Sequence, residues 1–225
     1  MNQPLVVCEG VRREFGTGHT AHTAVAGATC EIFAGDHIAL VGPSGSGKST
    51  LLHLMADLDT PTGGHISWPG LADRPRNSAQ SLGMVFQTPS LIDAFSVLEN
   101  VMLPLLVADV DPKVADGRAR TALAALGLAE LADRLPGELS GGQAQRVAIA
   151  RGLGTQPRII LADEPTGQLD PQAGEAVIDA LFASAQLVNA ALVVATHDPR
   201  IAARFDRMWS VADGRLSQDA MSVQR

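Results

Sequence analysis

The chain has 225 residues, 46% hydrophobic and 18% charged, enough for one sizeable core with room for an inserted subdomain. A formal net charge of −7 argues against a general nucleic-acid binder, whose affinity rests largely on cationic contacts to phosphate. The only cysteines, Cys8 and Cys30, stand outside any CxxC or Cys/His cluster, so they read as small buried hydrophobes in a reducing compartment.

No run approaches about eighteen apolar residues, so no bilayer-spanning helix is expected. Met1 to Pro4 has neither a charged n-region nor a long apolar h-region, so no secretory leader is expected and the chain reads as cytoplasmic.

Leu5 to Phe15 is expected to form an edge strand and Ala24 to Phe33 a second one. After the turn at Gly35-Asp36, His37 to Val41 is a short apolar run of the kind buried on both faces. Gly42 ends it, and Lys48 to Leu58 reads as a helix. The join between them is Gly42-Pro43-Ser44-Gly45-Ser46-Gly47-Lys48-Ser49, which matches G-x-x-x-x-G-K-[ST] in the strand–loop–helix context that motif requires. Its glycines let backbone N–H groups curl around phosphate oxygens, and the helix start adds its positive end. Lys48 offers a point charge to the β- and γ-phosphates, and the Ser49 hydroxyl is a hard ligand for Mg²⁺. Lys113 is the only other lysine, since arginine supplies the remaining cations.

Met84 to Phe86 reads as another strand. From about Ala94 the texture changes: Val97–Leu106, Lys113–Leu126 and Ala129–Asp133 are Ala/Leu-rich and helix-spaced, punctuated by Pro112 and Gly127. They are expected to form an inserted helical subdomain reaching the helix that starts at Ser140. Ser140 and Gln143 have the spacing of a capping box. Gly141 and Gly142 each cost that helix about 1 kcal/mol relative to Ala, which makes sense if something approaches the backbone closely. The serine hydroxyl and open helix start form a second anion site, and an insert projecting from the core would present it to a second subunit. Arg146 and Arg151 on this helix are expected to make structural ion pairs.

Ile159 to Ala162 is again a buried strand, ending at Asp163-Glu164, where an α/β sheet places its ligands. Asp163 is expected to hold Mg²⁺ through water, and Glu164 to orient or deprotonate an attacking water. Gln172 to Val188 reads as a helix, Ala191 to Ala195 as a strand and Ile201 to Phe205 as a short helix. Arg207 to Val211, the Asp213-Gly214 turn and Leu216 read as a final hairpin. Apolar strands alternating with helices imply a mostly parallel sheet covered on both faces.

Over nearly its whole length the chain resembles the ATP-binding subunit of ATP-binding-cassette (ABC) transporters. The motifs appear in that family's order: Walker A at Gly42–Thr50, a Q-loop at Gln87, the signature Leu139–Gln143, Walker B at Ile159–Asp163, the base Glu164, a D-loop at Gly167–Asp170 and a switch histidine at His197. The resemblance implies a P-loop NTPase core with a mixed, mostly parallel sheet, an N-terminal antiparallel β subdomain and an inserted α-helical subdomain. The core would span 1–90 and 156–225, and the insert 91–155, within one domain of 225 residues. It implies ATP and Mg²⁺ as cofactors, with Lys48, Gln87, Glu164 and His197 catalytic and Ser49, Gln87 and Asp163 at the metal. It implies that Phe15 stacks on adenine, that Ser140, Gly141, Gly142 and Gln143 complete the site of an opposite, identical subunit, and that Asp170 lies at the dimer seam. A transmembrane permease would be the other partner, with the chain peripheral on the cytoplasmic face of the membrane and no nucleic acid involved. Leu91, Ile92 and Phe95 are candidates either for contact with that permease or for packing of the insert.

Phe86–Leu91, Val97–Val101 and Asp163–Asp170 resemble the branch serving lipoprotein release, macrolide-type efflux and a related cell-division complex. Members of that branch usually carry Asn where Gln168 stands, Gly where Asp57 stands, and a longer helical connection where this chain has Leu71–Ser81. A non-transport ABC ATPase, working in a cell-division or regulatory complex, is the alternative.

Overall fold

The computed structural model describes residues 3–78 and 80–219. The expectations for Met1, Asn2 and the extreme C-terminus lie outside them.

Two sheets organise the chain. The first has three antiparallel strands in the order β2-β1-β4, from β1 (Val6–Phe15), β2 (His22–Ile32) and β4 (Gly63–Ser67). Leu5–Phe15 therefore supplies a central strand, not an edge. β4 covers its second side, a strand the sequence hides because only Ile66 of its five residues is buried. Cys8 and Cys30 face each other across β1 and β2, both buried.

The second sheet has six strands. β3 (His37–Val41), β5 (Leu82–Val85), β6 (Ile159–Asp163), β7 (Ala191–Thr196) and β8 (Arg207–Ala212) run parallel, and β9 (Arg215–Asp219) pairs antiparallel with β8. The order is β5-β6-β7-β3-β8-β9. Side chains alternate across β6 and β7: Ile159, Leu161, Ala191 and Val193 join one apolar cluster, while Ile160, Ala162, Leu192 and Val194 join the other. Continuous apolar runs are what burial on both faces of a parallel sheet demands.

One cluster lies beneath the three-stranded sheet and α1 (Lys48–Met55). The other joins the sheet to α5 (Pro171–Val188) and to α2 (Val97–Val107), α3 (Pro112–Ala125) and α4 (Gly141–Leu153). α2 begins with a capping box in which Ser96 accepts from the Glu99 N–H at 3.2 Å and Glu99 accepts from the Ser96 N–H at 2.7 Å. The fully buried Asn100 amide ties this helix to Ile92, Phe95 and Ser96 through four hydrogen bonds. The helix expected at Ala129–Asp133 is only a 3-10 turn over Ala129–Leu131, because Gly127 at φ +66 and Pro136 bracket too short a segment to propagate an α-helix. The last helix, α6, spans Pro199–Ala202 rather than starting at Ile201, with Asp198 as its N-cap.

α1 ends three residues short of Leu58. Asp57 takes φ +58, and its buried carboxylate is gripped by two guanidinium groups. Arg74 Nη2 donates to Oδ1 at 2.7 Å and Arg76 Nε to Oδ2 at 2.7 Å. Both arginines come from the connection over residues 71–81, so this loop and the carboxylate at the end of α1 are tied together.

Candidate functional site

Parallel pairing carries the site to one edge of the sheet. β3, β7 and β6 are neighbours, and Val41 lies opposite Thr196 while Asp163 lies opposite Ala195. The residues that follow those strands, Gly42, His197 and Glu164, therefore emerge together at the strands' C-terminal ends.

Gly42–Gly47 folds as a cradle. Gly47, at φ +108, is the N-cap of α1, and any side chain there would collide with the carbonyl of Ala24. A side chain on Gly42 would collide with the carbonyl of Val211. Glycine as N-cap supplies no side chain to the first N–H groups of α1. Ser46 Oγ is buried and has no hydrogen-bond partner among the described residues. Pro43, Ser44 and Gly45 are exposed at the mouth, and Thr50 is half-buried in the first turn. Open donors at a helix N-terminus fit an anion the size of a phosphate.

Lys48 is 4% exposed. Its ammonium donates to the carbonyls of Gly42 (2.9 Å) and Pro43 (3.0 Å) and lies 3.3 Å from Glu164 Oε1. The other Glu164 oxygen lies 3.2 Å from His197 Nδ1. An ionised carboxylate only accepts, so Nδ1 carries the hydrogen of this pair. Glu164 takes φ +43, a strained conformation for a residue with a side chain and one that gathers at active sites.

Ser49 Oγ donates to Asp163 Oδ1 at 3.0 Å. Burial pushes the Asp163 carboxyl above the usual range, and the Ser49 hydrogen bond and the nearby His53 and Lys48 only partly offset this. Among the described residues no group of three His, Cys, Asp or Glu forms a metal cage. A hydroxyl beside one carboxylate fits Mg²⁺, which keeps several waters and takes its remaining ligands from substrate phosphate.

Gln87 is exposed just past β5. A side chain on Gly167 would stand 3.1 Å from Gln87 Nε2 and 3.7 Å from Glu164 Oε2, so Gln87 and Glu164 border the same glycine. Phe15 ends β1, 42% exposed, with the Arg13 guanidinium 4.4 Å from its ring centroid. Asp170 caps α5, accepting from the Ala173 N–H at 3.0 Å.

Ser140 and Gln143 bond to each other in the expected capping box, at 2.8 and 3.2 Å, and not to the phosphate loop. A close approach that favours glycine at 141 and 142 exists within this chain, from Leu169 and Ala173.

Two residues of α4 link it to the segment around Gln87. Gln145, 2% exposed, donates from Nε2 to the Phe86 carbonyl at 2.9 Å. Arg151 donates to the carbonyls of Ser90 (2.8 Å) and Pro89 (3.0 Å). Arg146 donates to the Leu126 carbonyl at 3.3 Å. The expected ion pairs for Arg146 and Arg151 are thus backbone contacts among the described residues. Helix periodicity shows which face a residue occupies, not whether a carboxylate or a carbonyl waits there. Leu91 packs half-buried on the larger cluster, whereas Ile92 is 39% exposed.

Residues 25–167 match the family model described as ABC transporter. The lipoprotein-releasing system ATP-binding protein LolD of Paramagnetospirillum magneticum is 43% identical over 96% of this chain and 99% of its own length. A dimeric bacterial ABC transporter cassette superposes with a TM-score of 0.85 at 34% identity, covering 96% of this chain and 98% of that one. A dimeric ATP-binding cassette in a post-hydrolysis state bound to ADP and Pi gives 0.84 at 33% identity, with the same coverage. Loop, carboxylates, histidine and these likenesses agree: the chain belongs to the ABC transporter family, as one of its ATP-hydrolysing cassettes.

Proposed function

We propose that this cassette hydrolyses ATP to power lipoprotein release through a separate membrane permease, with two copies closing around two nucleotides. The observation that carries the chemistry is Glu164, held between Lys48 and His197 at the mouth of the phosphate cradle. The named cargo comes from the relative that is 43% identical.

In this reading the core spans 1–90 and 156–225 and the helical insert 91–155. The N–H groups of Gly42–Thr50 bind the phosphates, Lys48 turns from its carbonyl partners to the β- and γ-phosphates, and exposed Phe15 offers a face for adenine. Glu164 orients and deprotonates water, His197 holds Glu164 and reaches the γ-phosphate, and Gln87 borders the same pocket. Mg²⁺ held by Ser49, Asp163 and Gln87 would offset charge developing on the phosphates. Ser140, Gly141, Gly142 and Gln143 serve the nucleotide of the opposite copy, with Asp170 at the seam. Excluding water on closure strengthens each of these interactions. Among the described residues no helix is long and apolar enough to cross a membrane, which suits a subunit that sits on the inner face against a permease.

The test combines Glu164→Gln, to slow cleavage, with Ser140→Arg. The single variant should form an ATP-dependent dimer, and the double variant should bind ATP as a single chain and stay monomeric. A dimer of undiminished stability in the double variant refutes the trans role of this turn.

A further inference from the structure

The first turns of α4 and α5 interlock. A Cβ on Gly141 would stand 3.2 Å from Leu169 Cδ2, and one on Gly142 would stand 3.2 Å from Ala173 Cβ. Both are closer than carbon atoms prefer, about 3.5–4.0 Å. The turn carrying Ser140 thus packs closely on Leu169 and Ala173, and a methyl group on either glycine would fit there only if its neighbour shifted.

The support beneath it is firm. Leu169 is packed against the larger apolar cluster. Ala173 lies in the first turn of an eighteen-residue helix, its N–H held by the Asp170 carboxylate and Pro171 fixing the helix start. One residue on, Gly174 sits against Thr166, with 3.4 Å left for a Cβ.

We infer that Ala173 is a positioning residue: its methyl group sets the height at which the Ser140–Gln143 turn meets the nucleotide of the opposite copy. The inference rests on the two-copy reading above. N–H···O bonds hold over about 2.7–3.2 Å, so raising the turn by about 1 Å takes its donors out of reach. Ala173 bonds through its backbone to Asp170 and packs against Gly142, so a change in its side chain leaves the phosphate cradle of its own chain intact. A larger side chain at 173 should separate two properties that unfolding would lose together.

The experiment uses the full chain carrying Glu164→Gln, with Ala173→Val and Ala173→Ser added separately. Dimer formation is followed by sedimentation velocity as MgATP is titrated, and single-chain binding with a fluorescent ADP analogue. Ala173→Val should raise the ATP concentration for half-maximal dimer at least tenfold while ADP-analogue affinity stays within twofold. Ala173→Ser, which adds one small atom free to rotate where Val adds two fixed methyl groups, should stay within threefold of the parent on both. Dimerisation of Ala173→Val at the parent's ATP concentration overturns the inference and leaves the two-copy reading standing. Equal loss of ADP-analogue binding and dimerisation also overturns it, because that marks general damage. A parent that never dimerises overturns the two-copy reading and this inference with it.

Discussion

His197 Nδ1 lies 3.2 Å from Glu164 Oε2, although 33 residues separate them in the chain. The pair exists because β6 and β7 run parallel as neighbours and both end at the same edge. Glu164 is held from its other side by Lys48 at 3.3 Å. A carboxylate fixed between two partners keeps its direction before substrate arrives, and such preorganisation lowers the cost of reaching the transition state.

Replacing that carboxylate while keeping its shape isolates its chemistry. Glu164→Gln is expected to bind ATP with near-normal affinity and to turn over about 10²–10⁴-fold more slowly, the usual contribution of a positioned base. Steady-state phosphate release checks this, and turnover within a few-fold of the parent would remove Glu164 from the role.

Lys48 is buried against the Gly42–Gly47 loop, its charge between Glu164 and the carbonyls of Gly42 and Pro43. Lys48→Ala should weaken ATP binding at least about tenfold, since a hydrogen bond from a charged group contributes about 1.5–3 kcal/mol. Equilibrium nucleotide titration gives the answer, with circular dichroism confirming the fold.

Arg151 ties α4 to the carbonyls of Pro89 and Ser90. Burial pushes its guanidinium pKa down, so these two carbonyls are its compensation for lost water. Arg151→Ala should cost about 2 kcal/mol of stability and speed amide exchange at residues 89–92. Exchange by mass spectrometry at an unaltered rate there would show that the loop needs no such tether.

Asp57 makes stability depend on acid. Burial raises its pKa, but hydrogen bonds from Arg76 and Arg74 outweigh this and hold the carboxyl below the usual range. Its folded-state pKa is therefore lower than its unfolded value of about 3.9. The contribution is complete above that value and is lost as pH falls through the lower folded-state pKa. Asp57→Asn tolerates the same positive φ, so it removes charge with little backbone change. It should be less stable by about 1–3 kcal/mol at neutral pH, the gap narrowing below about pH 4. Urea denaturation across pH 3–7 measures it, and a gap that does not change with pH would mean the charge contributes nothing.

The residues themselves determined the chemistry of this protein. Gly42–Ser49 can cradle phosphate because of which atoms glycine lacks and which lysine and serine carry. The apolar runs at His37–Val41, Ile159–Ala162 and Ala191–Ala195 announce strands buried on both faces. Spacing alone announced the capping box at Ser140 and Gln143. The tertiary structure alone decided who meets whom. It made β1 a central strand by pairing it with β4, whose glycines and single buried residue give no periodic signal. It turned the expected ion pairs of Arg146 and Arg151 into carbonyl contacts, joined Asp57 to Arg74 and Arg76, and set Ala173 beneath Gly142. Local pattern reports the face a side chain occupies, while its partner depends on sheet order and helix packing, which bring together residues that no period in the sequence relates.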